Sequence, residues 1–425
     1  MHITELYKLY LQFPSVQTDT RKLKKGDIYF ALSGANFDGN AFAAEALQKG
    51  AAYAVVDNAV YAVNDRCILT EDVLVTLQQL AKHHRQQFTI PFIAITGSNG
   101  KTTTKELIAA VLQKKYVTYA THGNLNNHIG VPLTLLGIKR DAQMAIIEMG
   151  ANHQREIASY CEIALPDYGL ITNCGKAHIE GFGGIDGVRK GKGELYDFLR
   201  VNNCTIFRNA DLDYLEDMAR GINEQITYGS ERADYVGRPA MKGVFLEVDM
   251  PQKGMILKSH LVGEYNFPNV LVAAAIGLHF GVMPQDIEDA IGGYSPDNSR
   301  SQWLKKGTNE IILDAYNANP TSMRAAILNF AAARLPSKML WLGGMKEMGT
   351  EEANEHRALV ALVAQHHWAQ VILVGKEFKG LNNDYLWFET STEAAEYIKQ
   401  NIPGNSSILI KGSRGSKMEL MADAL

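Results

Sequence analysis

The residues best suited to chemistry lie in one glycine-containing turn that ends in lysine and threonine, Gly97-Ser98-Asn99-Gly100-Lys101-Thr102-Thr103. An apolar run at 90–96 precedes the turn, and a segment with apolar residues on one helical face follows it. Between a strand and a helix, backbone N–H groups point at an anion, Lys101 adds positive charge, and the Thr102 hydroxyl can ligate Mg²⁺. The turn therefore predicts a phosphate-binding loop, shorter than the general pattern, which would start with a glycine at Ile95. The alternative is a strand–helix turn with an exposed lysine.

Two later segments place a carboxylate and an imidazole where they could join this loop. The apolar strand 144–150 carries Glu148 near its end, and His178 follows the strand 168–173. In a parallel sheet the carboxyl ends of neighbouring strands share one edge, where ligands bind. Glu148 and His178 could there hold a divalent metal against a nucleotide. The alternatives are a helix cap or surface ion pair for Glu148 and a structural role for His178.

Further polar residues are compatible with either a structural or a binding role. The amide-rich segment 121–132 contains Asn126 and Asn127, which could order a loop or bind a polar ligand. The run 188–194 brings two lysines, which are either a solvated face or part of the site. Asn269 precedes an alanine- and valine-rich helix and could cap it.

The N-terminal segment contains Asp19, Arg21 and Asp38 in polar, turn-rich stretches, and Ser33 opens the glycine-punctuated loop that holds Asp38. Aspartates are natural turn residues, so these side chains are equally compatible with surface turns and with ligand contacts.

The elements that must position these residues predict an α/β protein of three domains. At 425 residues the chain exceeds what one core usually organises. Residues 1–88 read as a small α/β domain, and 89–297 as a central parallel-sheet phosphate-loop domain with a small antiparallel sheet at 233–262. Residues 292–297 are predicted to break the structure, and 298–425 alternate again in a Rossmann-like manner. No Gly-x-Gly-x-x-Gly fingerprint follows a first strand there.

Composition restricts the function classes. A net charge of −4 provides no basic field, which argues against nucleic-acid binding. The four cysteines lack paired spacing, so we expect free thiols in a reducing compartment. No segment approaches the roughly twenty apolar residues that span a bilayer, and the N-terminus lacks the features of a signal peptide. We therefore expect a cytoplasmic protein without membrane insertion.

A set of short strings resembles the Mur ligases, the ATP-dependent amide-forming enzymes of peptidoglycan precursor synthesis. The strings are the 97–103 loop, Thr18-Asp19-Thr20-Arg21, Gly123-Asn124-Leu125-Asn126-Asn127, Glu148-Met149-Gly150-Ala151-Asn152-His153, His178-Ile179-Glu180-Gly181-Phe182, Lys192-Gly193-Glu194, Tyr316-Asn317-Ala318-Asn319-Pro320 and Lys411-Gly412-Ser413-Arg414. They cover essentially the whole chain, and the Gly-Ala-Asn-His and Tyr-Asn-Ala-Asn-Pro strings are the most specific.

This resemblance implies a UDP-sugar domain, an ATPase domain and a mobile Rossmann-like domain that closes over ATP. The implied substrates are UDP-N-acetylmuramoyl-tripeptide and D-alanyl-D-alanine, joined through an acyl phosphate with ATP and two Mg²⁺ ions. The chain is expected to act as a monomer.

The resemblance also implies roles for individual residues. The implied catalytic residues are Lys101, Glu148, His178 and Lys192, the last carbamoylated by CO₂. The implied ATP-binding residues are Gly97, Ser98, Asn99, Gly100, Lys101, Thr102, Thr103, Asn269, Arg300 and Asp314. The implied Mg²⁺ ligands are Thr102, Glu148 and His178. The implied substrate-binding residues are Asp19, Arg21, Ser33, Asp38, Asn126 and Asn127.

Three other interpretations are possible. A sister ligase, such as a folylpolyglutamate synthase or an earlier Mur enzyme, would share the loop, and a requirement for a UDP-sugar would exclude the folate enzyme. A nucleotide-switch or binding protein would hydrolyse ATP slowly and would have no use for Glu148, His178 and Lys192 together. A dehydrogenase is disfavoured by the missing glycine fingerprint.

Overall fold

The computed structural model describes residues 2–381 and 384–425, and its sheets are distributed over three consecutive parts of the chain. Among the described residues, no helix combines the length and the apolar character needed to cross a membrane. The α/β class and the alternation of strands and helices predicted from the sequence are confirmed.

The N-terminal part is a parallel four-stranded sheet with strand order β1-β2-β5-β6. A small antiparallel hairpin, β3-β4, projects from it. Helix α3 packs against the central part and shares a hydrophobic core with it. The elements are α1 (Ile3–Gln12), β1 (Val16–Gln17), β2 (Ile28–Phe30), β3 (Ser33–Gly34), β4 (Phe37–Asp38), α2 (Ala43–Gln48), β5 (Tyr53–Val56), β6 (Cys67–Leu69) and α3 (Val73–Arg85).

The central part contains a seven-stranded parallel sheet with strand order β13-β12-β11-β10-β7-β9-β8. The elements are β7 (Phe92–Thr96), α4 (Lys101–Leu112), β8 (Thr118–Ala120), α5 (Gly130–Leu136), β9 (Met144–Glu148), α6 (Glu156–Ala164), β10 (Tyr168–Ile171), α7 (Ile179–Phe182), α8 (Ile185–Val201), β11 (Thr205–Asn209), α9 (Asp213–Met218), β12 (Gln225–Gly229) and β13 (Tyr235–Val236). Every residue of β7 is buried, because helices cover both faces of a parallel sheet. Strands β9 and β10 flank β7, so their carboxyl ends lie beside the phosphate loop.

A three-stranded antiparallel sheet follows, as predicted, with one strand more than the expected hairpin. Buried and exposed residues alternate along its last strand, because one face packs on the helices that come next. The elements are β14 (Arg238–Lys242), β15 (Phe245–Met250), β16 (Met255–Val262), α10 (Phe267–His279) and α11 (Pro284–Gly293). The predicted break at Gly292 is wrong by two residues, because α11 continues to Gly293 and glycine is tolerated at a helix end.

The C-terminal part is a six-stranded sheet with strand order β17-β18-β22-β19-β20-β21. All its pairings are parallel except β17 with β18, an antiparallel edge that the sequence analysis did not predict. The elements are β17 (Gln302–Lys306), β18 (Asn309–Asp314), α12 (Pro320–Ala332), β19 (Lys338–Gly343), α13 (Glu352–Val363), β20 (Gln370–Val374), β21 (Leu386–Phe388), α14 (Ser391–Gln400), β22 (Ser407–Lys411) and α15 (Glu419–Asp423).

Candidate active site

The turn between β7 and α4 is held by hydrogen bonds to the end of β10. The Ser98 backbone N–H donates to the Asn173 carbonyl at 2.8 Å, and the Asn99 N–H donates to the Asn173 side chain at 3.1 Å. The Thr172 hydroxyl donates to the Asn99 carbonyl at 2.6 Å. The turn is therefore fixed in shape by the neighbouring strand, which is what a preformed anion cradle requires.

Two glycines allow the chain to pass through this turn. A Cβ added at Gly97, where φ is +145°, would lie 2.0 Å from the Thr172 hydroxyl oxygen. A Cβ added at Gly100, where φ is +80°, would lie 2.7 Å from the side-chain oxygen Oδ1 of Asn269. Both positions therefore exclude larger residues, by backbone conformation and by space.

Lys101 is the first residue of α4, and its ammonium group folds back over the turn. Its Nζ donates to the carbonyls of Gly97 and Ser98. Burial lowers the pKa of Lys101 to about 8, against the opposing effect of the Glu148 carboxylate. The ammonium group thus lies over the turn and bonds neutral backbone carbonyls. A phosphate would form stronger, charge-assisted hydrogen bonds with it and would displace them.

Glu148, the last residue of β9, lies fully buried beside the first turn of α4. Its Oε1 accepts from the Thr102 hydroxyl at 3.1 Å and from the Asn126 amide at 2.7 Å. Its Oε2 is buried and has no hydrogen-bond partner among the residues that the structure describes. Glu148 is therefore neither a helix cap nor a surface ion pair, and one of its oxygens is free to bind a ligand.

His178 precedes α7 in a left-handed conformation, with φ +53°. Its Nδ1 contacts Oε2 of Glu347, which follows β19 in the C-terminal part. The adjacent His178 imidazole holds the pKa of Glu347 below its usual value. His178 and Glu148 line the same cavity, but His178 pairs with Glu347.

The two lysines of the segment 188–194 have opposite environments. Lys190 is exposed, whereas Lys192 is 1% exposed and donates to the Ala151 carbonyl at 3.1 Å. Burial, and next the positive charge of Lys101, lower the pKa of Lys192 to about 7. The solvated-face interpretation thus holds for Lys190 only. Lys192 is not among the residues that line the cavity, although its acceptor Ala151 is.

The C-terminal part contributes a second set of charges. Lys411, at the end of β22, pairs with Asp314, at the end of β18, at 2.6 Å. The Arg300 guanidinium lies 3.7 Å from the centre of the Tyr316 ring, and its buried Nε has no hydrogen-bond partner within the described ranges. A partly buried cation with an unpaired, buried donor suits a phosphate oxygen.

These groups meet in a cavity of about 660 Å³ between the central and C-terminal parts. The predicted residues that line it are Ser98, Asn99, Gly100, Lys101, Thr102, Thr103, Asn126, Asn127, Glu148, His178, Asn269, Arg300 and Asp314. Gly97 lies just behind it, as the acceptor for Lys101. Among the described residues, no group of three or more histidine, cysteine, aspartate or glutamate side chains could hold a metal ion by itself.

Two predicted binding asparagines have structural partners. The side-chain oxygen Oδ1 of Asn127 accepts from the backbone N–H groups of Ile129 and Gly130 at the start of α5. Asn269 does not cap α10; its amide accepts from the Thr104 hydroxyl and donates to Asn266. These bonds order the loop and hold α4 against α10, so ligand contacts by both residues stay predictions.

The four predicted substrate-binding residues of the N-terminal part do not line this cavity. Asp19 accepts from the Arg21 guanidinium at 2.8 and 2.9 Å, and Ser33 donates to Asp38 at 3.0 Å. The pKa of Tyr29 is raised to about 12, mainly by burial and to a smaller extent by the negative charges of Asp19 and other carboxylates, including Asp38. The two pairs therefore lie around one tyrosine, apart from the phosphate loop.

The sequence analysis did not include Glu347 or Lys411 among the site residues, and both line the cavity. It also missed Asn319, whose side chain donates to the Asn99 side chain at 2.7 Å. The signal available was position: Glu347 and Lys411 follow or end parallel strands, where ligands bind.

A phosphate loop, a buried carboxylate beside it and a third α/β unit facing both define a nucleotide-dependent α/β enzyme. Family models match along the chain: "Mur ligase family, catalytic domain" at 12–85, "Mur ligase middle domain" at 95–277 and "Mur ligase, glutamate ligase domain" at 299–414. The chain belongs to the Mur ligase family.

Its relatives include proteins named UDP-N-acetylmuramoyl-tripeptide–D-alanyl-D-alanine ligase. The Bacillus subtilis protein is 33% identical, over 95% of this chain and 91% of the relative. The Escherichia coli protein is 32% identical, over 99% of this chain and 95% of the relative. Among solved structures, MurF from Acinetobacter baumannii matches with a TM-score of 0.87 and 30% identity, covering 96% of this chain and 93% of that one. MurF from Thermotoga maritima in complex with ADP matches in fold, with a TM-score of 0.86, 24% identity and 97% of each chain covered.

Proposed function

We propose that the chain is the ATP-dependent ligase that joins D-alanyl-D-alanine to UDP-N-acetylmuramoyl-tripeptide in peptidoglycan precursor synthesis. The observation that carries the proposal is the cluster of Lys101, Thr102 and Glu148 in a cavity that two units of the chain line together. Relatives with this printed name that align over nearly the whole chain support the choice of substrates. The products are UDP-N-acetylmuramoyl-pentapeptide, ADP and phosphate.

Mg²⁺ fits the residues around Glu148. The unpartnered Oε2 of Glu148 is a buried anionic oxygen, and the Thr102 hydroxyl lies beside the same carboxylate. Oxygen donors of this kind, completed by phosphate and water, are what Mg²⁺ prefers. We propose Thr102 and Glu148 as ligands of one ion, with Glu148 and His178 serving a second. When bound, the cations would neutralise phosphate charge.

The chemistry begins with a poor electrophile, because a carboxylate does not react with an amine at neutral pH. The tripeptide carboxylate attacks the γ-phosphorus of ATP, the bond to the β–γ bridging oxygen breaks, and ADP leaves. Lys101 and the backbone N–H groups of the first turn of α4 offset the negative charge that repels the two anions. The amine of D-alanyl-D-alanine then attacks the acyl phosphate, and the tetrahedral intermediate loses phosphate and a proton to give the amide.

Water must be kept away from the acyl phosphate, which otherwise hydrolyses. Residues of the C-terminal part close one side of the cavity, and Asn319 donates to Asn99 of the phosphate loop. Arg300 and Asp314 would contact the nucleotide from this side, and Asn269 would contact it from α10. One chain contributes all these residues, which favours a monomer.

Lys192 suits carbamoylation, because burial leaves a substantial neutral fraction of its amine near pH 7. A neutral amine attacks CO₂, a bond forms between Nζ and carbon, and a proton is released. The product replaces a buried cation with an anion. We propose this modified Lys192 as a negative group behind the metal ligands.

We propose that residues 1–88 bind the UDP moiety through Asp19, Arg21, Ser33 and Asp38, with Asn126 and Asn127 nearer the peptide. The boundaries proposed for the other two domains are 89–297 and 298–425. The three largest sheets, one in each of these divisions, and the three matched intervals support this division. The free cysteines and the nucleotide substrates favour a cytoplasmic location.

The test measures phosphate release by the purified chain with ATP, Mg²⁺ and UDP-N-acetylmuramoyl-tripeptide, with and without D-alanyl-D-alanine. Two tripeptides, with lysine or diaminopimelate as third residue, would identify the natural substrate. We expect rapid release only when both the tripeptide and the dipeptide are present, with pentapeptide formed in equal amount. Release that depends on a folate and glutamate, or that needs no acceptor, would refute the proposal.

A further inference from the structure

Glu347 belongs to the C-terminal part, yet its carboxylate contacts the central part at His178. It lies in the turn after β19, in a left-handed conformation with φ +63°. Its Oε2 contacts Nδ1 of His178, which itself has φ +53°. Both residues therefore have a left-handed backbone, which is unfavourable for residues other than glycine, and their side chains contact each other at the cavity. This indicates that the surrounding structure holds the contact in place.

The contact determines which imidazole nitrogen carries the proton. A carboxylate can only accept a hydrogen bond, so the neutral imidazole must carry its proton on Nδ1 to bond Glu347. Nε2 then bears the lone pair and can act as a ligand. Metal-binding histidines commonly donate their second nitrogen to a carboxylate, which fixes the tautomer and the ring orientation.

We propose that Glu347 is a positioning residue, through which the C-terminal part fixes His178 with Nε2 available as a ligand for the active-site cation. The inference rests on the proposed function, because it concerns the same cation site. Since His178 and Glu347 lie on different units, the imidazole is set for cation binding only while the units are together. ATP bound to an open molecule would therefore lack a fully prepared site.

Neighbouring contacts also hold the turn that contains Glu347 against the central part. Gly349 lies so close to α7 that an added Cβ would be 3.3 Å from the Glu180 side chain. Glu355, three residues after the start of α13, pairs with Lys176 of the central part at 2.7 Å. Lys176–Glu355 is thus a second ion pair between the same two units, without contact to His178. It provides the matched control.

The first test is the tautomer of His178 in the full-length, metal-free protein. Histidine-specific ¹⁵N labelling and long-range ¹H–¹⁵N spectra distinguish a protonated Nδ1 from a protonated Nε2, and His178→Gln assigns the signal among the twelve histidines. We expect a protonated Nδ1 in the wild type and a mixture in Glu347→Gln, because an amide can either donate to Nδ1 or accept from it. Glu355→Gln should keep the wild-type pattern. A wild-type His178 protonated on Nε2, or an unchanged spectrum in Glu347→Gln, would overturn the inference.

The second test is the affinity for Mn²⁺ in the presence of a non-hydrolysable ATP analogue. The electron spin resonance signal of free Mn²⁺ measures this affinity. Glu347→Gln should bind Mn²⁺ about 10- to 100-fold more weakly, as outer partners of metal ligands usually do, whereas Glu355→Gln should bind as the wild type does. Equal weakening in both variants would show that Glu347 only holds the units together and would overturn the inference. Failure of the wild type to make pentapeptide would instead refute the proposed function and leave the tautomer result standing.

Discussion

At the scale of single residues, the site combines groups that cost stability. Lys101 and Lys192 are cations removed from water, and Glu148 keeps a buried oxygen without a hydrogen bond in the described structure. Each is unfavourable for the isolated fold unless a ligand compensates it. Their grouping within one region therefore indicates a binding function, because structural ion pairs alone would be satisfied internally.

Replacing Lys101 with alanine should lower turnover by about 10²- to 10³-fold while leaving UDP-substrate binding nearly intact. The lysine lies at the phosphate turn, and the pairs Asp19–Arg21 and Ser33–Asp38 lie elsewhere. Loss of one charge-stabilising group typically lowers the rate by about 10²- to 10³-fold. ADP release measures turnover, and calorimetry measures binding. Lys114→Ala, an exposed lysine just beyond α4, is the control. Unchanged ADP release in Lys101→Ala would contradict the assignment.

Replacing Lys192 with methionine should raise stability most at low pH. The pKa of Lys192 is about 7 in the folded protein, and its ordinary value is 10.5. Between pH 7 and 10.5, the amine of Lys192 is therefore protonated in the unfolded chain and neutral in the folded one. Unfolding then takes up a proton, and wild-type stability rises with pH across this window by about 1.4 kcal/mol per pH unit. The advantage of Lys192→Met should therefore shrink between pH 7 and 9.

Urea unfolding in CO₂-depleted buffer checks this dependence. Lys190→Met, two residues earlier on the exposed face of the same helix, should track the wild type at every pH. A constant difference between Lys192→Met and the wild type would show that the buried amine does not titrate in this window.

The sequence predicted individual residues when the information was local. The strand, turn and helix around Lys101 lie within about twenty residues, so their pattern identifies the phosphate loop directly. Glu148 and His178 could be placed because the carboxyl ends of parallel strands share an edge. Glu347 also follows a parallel strand, but its contact with His178 could not be predicted, because the two residues are 169 positions apart and the turn has no recognised pattern.

At the scale of elements, buried strands were predicted best, since apolar runs bounded by glycine turns have few alternatives. The edge strand β17 was missed because its sequence, Gln302–Lys306, is only partly apolar and pairs antiparallel on one side. The segment between α11 and β17 carries a further feature that no sequence pattern indicates. Its residues Tyr294 and Asn298 are both tied to Glu106 of α4, the helix that begins at the phosphate loop.

Replacing Glu106 with alanine should release this connecting segment. Tyr294 donates to Glu106 at 2.6 Å, and Asn298 donates at 3.2 and 3.3 Å. Removing the acceptor leaves two partly buried donors unsatisfied, at a cost of about 1–3 kcal/mol. Tryptic cleavage after Arg300 should therefore become about 5- to 100-fold faster if local opening limits it. Tyr294→Phe, which removes one of the bonds, should give a smaller effect. Equal cleavage rates in all three proteins would show that Glu106 does not restrain the segment.

At the scale of the whole molecule, the cavity exists because two units meet across it. The contacts around the cavity are polar: Asn99 with Asn319, the Lys176 backbone N–H with the Thr321 hydroxyl at 3.1 Å, and Lys176 with Glu355. Away from the cavity the two units share an apolar contact, in which Phe245 packs against Trp303. Interfaces of this kind between units of one chain resemble transient ones, so relative motion is the default expectation. The relative placement of the units depends on pairs such as Lys176 and Glu355, 179 positions apart, which periodicity and turn signals do not reveal.

Reversing one charge of the Lys176–Glu355 pair should uncouple ATP use from product formation. Lys176→Glu or Glu355→Lys places like charges together across the interface, which should favour an open molecule and admit water to the acyl phosphate. Because Lys176 is half-exposed, the effect should stay within about 1 kcal/mol, or up to about fivefold in the ratio of phosphate to pentapeptide. The double reversal restores the attraction and should return the ratio to near one. A ratio that stays high in the double variant would mean that the side chains act separately, and a wild-type ratio in both single variants would show that this pair does not control closure.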